Sequence, residues 1–293
     1  MGRDPIRDEP NRGALGRSGP GGDPQRAYGN GLAVVTVARS ISPVVDAGTL
    51  RAATARPLRI VVTVVGDAAP ETSDDGVEVL RLAEDIGRPA AINRAVAGLD
   101  AAIGWVVISD PEVQWEPGAL DSLLAAAARY PRAALLGPRL TDATGTVVPS
   151  AGTLPSVTQV LRDRIPTAAG SGRTGWLSTS CVLVRRSAWD SVDGLDARYL
   201  GAPGPVDMAD VDLGDRLGRA GWLLVHVPGV VITAGAGIRG GHDNLASHAD
   251  GLHRYVHERG PASARLLLAL TDRVVALTGR GTYRNIASRI PES

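Results

Sequence analysis

Four aspartates lie within nine residues of the segment 206–217, which continues as an amphipathic helix. They are Asp207, Asp210, Asp212 and Asp215. Asp210 and Asp212 are two positions apart, so they cannot both point the same way from a regular helix, and one of them can face a cleft. The alternative is that Asp207 or Asp210 caps the helix and the other aspartates lie on its solvated face.

A second acidic pair, Asp110 and Glu112, follows the apolar run 105–108 and is separated by Pro111. Proline fixes the turn and keeps the chain extended, so both carboxylates can be presented to a cleft. Carboxylate oxygens in this arrangement suit Mg²⁺ or Mn²⁺ that bridges a diphosphate. The alternative is an acidic turn that caps the following helix, 117–129.

Three weaker signals also favour a ligand site. Proline follows Arg88 at a predicted helix start, where free amides, Arg88 and Arg94 can receive an anion, although an ordinary helix start with surface arginines is the alternative. The polar loop 178–180 precedes an apolar run and either binds a hydroxylated ligand or satisfies backbone groups. Asp67 follows the run 58–65 and is either a contact for a base or ribose or a turn residue.

Near-continuous apolar runs alternate with helical patterns along the first half of the chain. The runs are 32–37, 58–65, 77–82 and 105–108, and the helices are 44–55 and 89–99. This alternation predicts a mainly parallel sheet with helices on both faces. Ligands collect beyond the carboxyl ends of the strands in such sheets, which is where Asp67, Asp110 and Glu112 fall.

The composition indicates a globular protein with ample material for a core. Its 293 residues are 44% hydrophobic, and the formal net charge is zero, with arginine supplying all 31 basic residues. This balance argues against nucleic acid or an acidic membrane as the main partner. The one cysteine, Cys181, excludes an internal disulfide, predicts a buried thiol and suits the cytoplasm. No apolar run approaches the roughly 20 residues of a membrane span, and no signal peptide is expected.

Three segments taken together carry a specific resemblance. They are 175–188 (GWLSTSCVLVRRSA), 110–118, which opens with Asp-Pro-Glu, and 210–222, which opens with Asp-Val-Asp and closes with Gly-Trp. From about residue 32 to residue 260 the chain resembles the family 2 glycosyltransferases of the GT-A fold. Within them it is most similar to the actinobacterial rhamnosyltransferases that act on polyprenyl-diphosphate-linked N-acetylglucosamine. The resemblance implies an α/β fold with a doubly wound, mixed but mainly parallel sheet, helices on both faces and C-terminal helices.

The resemblance also implies an inverting sugar transfer, from dTDP-rhamnose to a lipid-linked sugar, that uses Mg²⁺ or Mn²⁺. By position, Asp110 and Glu112 would hold the metal against the nucleoside diphosphate, and Asp210 would be the catalytic base. The residues implied for donor binding are Asp67, Gly87, Arg88, Asn93 and Asp110, and those implied for acceptor binding are Trp176, Ser178 and Asp212.

Several positions depart from the family pattern. The nucleobase segment after the second strand is 66–70, in which Asp67 is the one candidate contact; Ala209 replaces the first residue of the acidic pair; and 233–235 lacks the usual histidine. These changes raise a rival interpretation, a catalytically impaired paralogue that acts as a binding or partner subunit. A dinucleotide-dependent enzyme is disfavoured because no glycine fingerprint follows the first strand.

The two ends of the chain are expected to lie outside the transferase domain. Residues 1–29 have little to bury and predict a disordered leader, residues 30–260 form the GT-A domain, and residues 261–293 form a C-terminal helix and tail. That helix either packs on the domain or lies on the inner face of the cell membrane, where a lipid-linked acceptor would be met. Four histidines between 242 and 257 lack an accompanying ligand pattern, so zinc is disfavoured.

Overall fold

The computed structural model describes residues 28–38, 45–65, 76–155, 170–199, 207–235 and 245–260, together with positions 262 and 265. The predicted leader up to residue 27, Asp67, and nearly all of the predicted C-terminal helix and tail lie outside the described residues. Within the described residues, no helix is both long enough and apolar enough to cross a bilayer.

A central sheet forms the frame of the domain, and nine of the described strands belong to it. The strands are β1 Gly31–Ala38, β2 Leu58–Val65, β3 Val77–Leu82, β4 Ile103–Ser109, β5 Ala133–Thr141, β6 Val147–Val148, β7 Ala151–Gly152, β8 Gly172–Thr174, β9 Trp176–Leu177, β10 Cys181–Arg185 and β11 Leu223–Thr233. The sheet order is β3-β2-β1-β4-β10-β5-β11-β8, with β6 paired to β5, while β7 and β9 form a separate small ribbon. The predicted α/β class with a mixed, mainly parallel sheet is confirmed.

Helices cover the two faces of the sheet. They are α1 Ala47–Ala52, α2 Arg88–Ala97, α3 Ala119–Arg129, α4 Arg186–Asp190, α5 Met208–Arg219 and α6 Leu245–Arg259. One core contains side chains of α2, α4, α5 and α6, and the other contains side chains of α1 and α3. Strands with a core on each side need apolar residues at both alternating positions, which explains the near-continuous apolar runs in the sequence.

Two helices begin at aspartate caps. The side chain of Asp46 accepts the amide of Thr49 at 3.0 Å, so α1 starts at Ala47 and is shorter than the helix expected over 44–55. Asp207 accepts the amide of Ala209 at 2.9 Å, which confirms the alternative that Asp207 caps the acidic helix α5. A carboxylate at this position satisfies amides that have no partner within the helix.

Strand β10 determines where the site forms. It runs antiparallel between β4 and β5, whereas β1, β2 and β4 are parallel to one another. The beginning of β10 therefore meets the end of β4: Cys181 pairs with Ser109, and the amide of Asp110 donates to the carbonyl of Ser180 at 2.8 Å. The acidic turn after β4 and the polar loop before β10 consequently share one edge of the sheet. Cys181 itself is buried, as predicted.

Candidate functional site

Asp210 lies in the first turn of α5 and is only 2% exposed. Both of its carboxylate oxygens are held by one residue, Thr179. The Thr179 hydroxyl contacts Oδ1 at 2.7 Å, and the Thr179 amide donates to Oδ2 at 3.1 Å. Thr179 lies in the loop before β10, so the antiparallel strand delivers the donor groups that orient this carboxylate.

Arg88, the first residue of α2, joins Thr179 to the acidic turn after β4. Its Nη1 donates to the Thr179 hydroxyl at 2.7 Å, and its Nη2 donates to the Thr179 carbonyl and to Asp110 Oδ1, each at 2.8 Å. Because a guanidinium can only donate, the hydroxyl proton of Thr179 is directed at Asp210. Asp110, Arg88, Thr179 and Asp210 form one continuous network, which we call the Asp210 cluster.

Burial is the largest influence on the ionisation of Asp210. Burial and the neighbouring Asp207 carboxylate raise the pKa of Asp210, Arg88 and the two bonds from Thr179 act in the opposite direction, and the net result is a pKa of about 7. A base with a pKa near the working pH combines a useful deprotonated fraction with a strong drive to accept a proton. The pKa of Arg88 is raised despite its burial, because Asp110, Asp210 and Asp207 stabilise the cation.

The predicted metal ligands, Asp110 and Glu112, lie in the turn after β4, and Asp110 belongs to this cluster. Asp110 Oδ1 accepts from Arg88 and its side chain is about a quarter exposed. Glu112 is exposed and packs so closely on Gly235 that a Cβ there would lie 2.1 Å from Glu112 Cβ. This contact places the histidine-free segment after β11 directly beside the acidic turn.

The donor set fits only one kind of cation site. In the part of the chain that the structure describes, no group of three or more His, Cys, Asp or Glu side chains could hold a metal ion. Mg²⁺ commonly binds through one or two carboxylates and completes its coordination with substrate phosphates and water. A cation at Asp110 and Glu112 would therefore need further ligands from a diphosphate or from water, and its binding by these two residues stays a prediction.

Two residues predicted to bind the donor have structural partners within the chain. Gly87 has a φ of +81° and donates its amide to Asp85 Oδ1 at 2.9 Å, which shapes the start of α2. The Asn93 amide donates to the carbonyl of Leu195 at 2.7 Å and accepts the amide of Leu195 at 3.0 Å. Both polar atoms of the Asn93 side chain thus fasten α2 to the segment after α4, and a donor contact by either residue stays a prediction.

The residues predicted to contact an acceptor are all buried. Trp176 on β9 and Asp212 on α5 have no exposed surface, and the hydroxyl of Ser178 accepts the amide of Ser180 at 3.2 Å within the loop. As placed, Trp176 and Asp212 offer no surface to an acceptor. Ser178 supports the loop that carries Thr179, so it reaches the site through the backbone.

Asp212 is the centre of a second charged cluster, the Asp212 clasp, formed with Arg216 and Arg259. Its two oxygens accept from Arg216 Nε at 2.6 Å and from Arg259 Nε at 3.0 Å. Arg216 Nη1 also donates to the carbonyls of Val192 and Gly194. The alternative that placed the remaining aspartates of α5 on a solvated face is wrong, because Asp210, Asp212 and Asp215 are all buried.

Sequence reasoning missed the part played by Thr179. It recognised the polar loop 178–180 but had no ground for choosing one hydroxyl among three adjacent candidates. The signal that could have identified Thr179 is its position. Thr179 lies two residues before β10, which runs antiparallel to β4, and β4 ends in the acidic turn, so Thr179 lies opposite that turn. Using that signal requires the strand order, which the hydrophobic pattern alone does not specify.

Comparison with known proteins gives a clear sequence relative. No family model matches the chain. The chain is 37% identical over 264 residues to the N-acetylglucosaminyl-diphospho-decaprenol L-rhamnosyltransferase of Mycobacterium tuberculosis (strain CDC 1551 / Oshkosh), covering 78% of this chain and 84% of the relative. The protein of the same description from strain ATCC 25618 / H37Rv gives the same identity and coverage.

Solved structures are more distant. The chain is similar to GalNAc-T7 with UDP, GalNAc and Mn²⁺ at 14% identity and a TM-score of 0.49, covering 78% of this chain and 50% of that one. It is also similar to the mannosyltransferase PcManGT of Pyrobaculum calidifontis with GDP-Man and Mn²⁺, at 14% identity and a TM-score of 0.46, covering 87% and 82%. Identities and TM-scores this low support no conclusion about activity.

Proposed function

The chain belongs to the glycosyltransferase family of the N-acetylglucosaminyl-diphospho-decaprenol L-rhamnosyltransferases, and we propose that it transfers a sugar, with inversion, from a nucleoside diphosphate to a lipid-linked acceptor. The observation that supports this most strongly is Asp210, a buried carboxylate with a pKa of about 7 that the Asp210 cluster joins to the acidic turn after β4. At one edge of the sheet, the cluster thus combines a base, Asp210, with a cationic group, Arg88, for the diphosphate.

Asp210 is the proposed general base. An acceptor hydroxyl attacks the anomeric carbon of the donor sugar, a new carbon–oxygen bond forms there, and the bond to the diphosphate breaks on the opposite face. The hydroxyl proton passes to an oxygen of Asp210, and the bonding electrons of the broken bond leave with the diphosphate. Attack opposite the leaving group inverts the configuration at the anomeric carbon.

The donor side must stabilise the charge that develops on the leaving diphosphate. Arg88 provides a fixed guanidinium at the start of α2, beside Asp110. Asp110 and Glu112 would hold a Mg²⁺ or Mn²⁺ ion, which would supply further charge neutralisation to the diphosphate. Because Arg88 pairs with Asp110, the guanidinium and the acidic turn lie side by side, and both would face the diphosphate of the donor.

The relative's name suggests the substrates. We propose that the donor is dTDP-rhamnose and that the acceptor is N-acetylglucosamine on a polyprenyl diphosphate, by analogy with the decaprenol-linked sugar in that name. A polyprenyl acceptor is confined to a membrane, so the enzyme would work in the cytoplasm at the inner face of the cell membrane. No contact among the described residues favours the rival interpretation of a non-catalytic subunit.

A direct transfer assay tests this proposal. The full chain is incubated with dTDP-rhamnose and polyprenyl-diphosphate-linked N-acetylglucosamine, with Mn²⁺, with Mg²⁺ or with a chelator, and the lipid product is analysed by mass spectrometry. We expect the acceptor to gain one deoxyhexose and the yield to fall when the chelator is present. Parallel titration calorimetry with dTDP, UDP and GDP identifies the nucleotide.

Two results would count against the proposal. A chain that binds no nucleoside diphosphate with either cation lacks a donor site, and the non-catalytic interpretation then replaces it. Transfer from a UDP-sugar or GDP-sugar, with none from dTDP-rhamnose, would retain the transferase and reject the rhamnose donor.

A further inference from the structure

Every polar atom of Thr179 makes a hydrogen bond within the Asp210 cluster. Its hydroxyl and its amide hold the two oxygens of Asp210, and its hydroxyl and carbonyl receive the two Nη atoms of Arg88. The side chain is almost completely buried. Arg88 and Thr179 are 91 residues apart in the sequence, so this arrangement is a product of the tertiary fold.

We propose that Thr179 is a positioning residue that orients Asp210 and, through its bond to Arg88, keeps that carboxylate deprotonated for the transfer step. This inference rests on the proposed function, because it presumes that Asp210 accepts the acceptor's proton. Thr179 does not need to touch either substrate in order to act in this way.

The direction of the Thr179 hydroxyl supports the inference. Arg88 donates to the hydroxyl oxygen, so the hydroxyl hydrogen is directed at Asp210 and stabilises the negative form of the carboxylate. Without that hydroxyl, Asp210 would keep only the amide bond from the same residue while remaining buried. A buried carboxylate that loses a hydrogen-bond donor is protonated up to a higher pH.

Charged groups around Asp210 come from three directions. Asp207, at the start of the same helix, disfavours the charged form, and Arg88, from α2, favours it. Asp110, at the end of β4, accepts a hydrogen bond from Arg88, and the Thr179 hydroxyl links Arg88 to Asp210. Helix α6 packs on α5, but its Arg259 pairs with Asp212. Thr179 is therefore the element that links Asp210 to a cation.

The experiment compares Thr179→Val with Thr179→Ser in the full chain. Valine keeps the shape and the backbone amide but removes the hydroxyl, whereas serine keeps the hydroxyl. Two readouts are measured: kcat against pH, and the titration of the Asp210 carboxyl carbon by ¹³C NMR in the substrate-free protein. The Asp210→Asn variant assigns the resonance.

We expect the valine variant to move the acidic limb of kcat, and the NMR midpoint, upward by roughly one pH unit. Its rate should approach that of the wild type at alkaline pH, and serine should restore both midpoints. A valine variant whose rate falls equally at every pH, with an unmoved NMR midpoint, would overturn the inference and leave Thr179 a packing role.

The readouts separate this inference from the proposed function. If the wild type transfers no sugar, the NMR midpoints still decide whether Thr179 and Arg88 control the ionisation of Asp210. If circular dichroism shows that Thr179→Val does not fold, Arg88→Met is measured in its place. This variant removes the cation and is expected to raise the NMR midpoint of Asp210. An Arg88→Met protein with an unmoved midpoint would contradict the link to Arg88.

Discussion

Asp210 and Asp212 are two residues apart on α5 and equally removed from solvent, yet their surroundings differ completely. Asp212 receives two guanidinium groups directly, one from its own helix and one from α6. Asp210 receives two hydrogen bonds from a neutral residue, and its nearest cation is reached through that residue. The difference teaches that burial alone does not decide what a carboxylate does.

A carboxylate that is directly paired with two arginines is held in place and contributes to the packing of helices. One that has been buried with neutral donors and a nearby like charge holds its proton up to a higher pH, and it is available for proton transfer. The Asp212 clasp therefore joins α5, α6 and the 192–194 segment, whereas the Asp210 cluster opens toward the acidic turn. Substitutions at these aspartates and at their neighbours test this division.

Asp210→Asn should reduce kcat by roughly 10²–10⁴-fold, because the variant cannot accept the acceptor's proton. Initial rates at saturating donor and acceptor measure the loss, and circular dichroism checks the fold. Asp215→Asn is the matched control, since Asp215 lies on the same helix and pairs with the exposed Arg219. Full activity in Asp210→Asn would remove Asp210 from its proposed role.

Asp212→Ala should lower the free energy of unfolding by about 3–5 kcal/mol, because two arginines lose a buried partner. Urea denaturation measures the change, and Glu78→Ala should cost no more than about 1 kcal/mol, because Glu78 and its partner Arg59 are both partly exposed. If Asp212→Ala is as stable as the wild type but has a raised KM for the acceptor, Asp212 contacts the acceptor, as the family resemblance implies.

The stability of the wild type should contain a pH-dependent contribution from Asp210. The pKa of Asp210 is about 7 in the folded protein and 3.8 in the reference state. Between these two pH values the folded chain therefore binds one more proton than the unfolded chain. The contribution is complete below about pH 4 and is lost as the pH rises through about 7. The difference in unfolding free energy between wild type and Asp210→Asn, followed by urea denaturation from pH 4 to pH 8, should change in that direction. A constant difference would contradict the raised pKa.

Asp207→Asn should give the smallest effect and the opposite sign to the Thr179 substitution. The Asp207 carboxylate raises the pKa of Asp210. Removing the charge of Asp207 should therefore shift the acidic limb of the kcat profile to lower pH, by less than roughly one pH unit. Asparagine remains a good helix cap, so α5 should be retained. The pH dependence of kcat measures the shift, and an upward shift would show that the cap has been disturbed.

The sequence predicted the parts of the fold that depend on local pattern. β1, β2 and β4 are apolar at nearly every position, and this alone identified buried parallel strands. The position of β10 could not be predicted, because an apolar run such as 181–184 does not specify its direction or its neighbours. The role of Thr179 depends on that position and was missed for the same reason.

The site was predictable to the extent that residue type limits chemistry. Asp210 and Asp110 were chosen from acidic spacing and from the family resemblance, and the structure places both in the Asp210 cluster. The surroundings of Asp212 were not predictable, because one of its partners, Arg259, lies 47 residues along the chain. The partner of Asn93 was likewise not predictable, because its amide binds a backbone segment 102 residues away, and the donor contact stays a prediction.

The antiparallel placement of β10 also bears on how the protein acquires its activity during folding. The parallel strands β1, β2 and β4 lie in the first half of the chain, and they can associate before the second half has been synthesised. Strand β10 follows all three in the chain, so it can pair with β4 and β5 only after residues 181–185 have been synthesised. A nascent or truncated chain that ends before Thr179 would carry Arg88 and the acidic turn without Thr179 or Asp210, so the appearance of turnover would report that the sheet and α5 have both been completed.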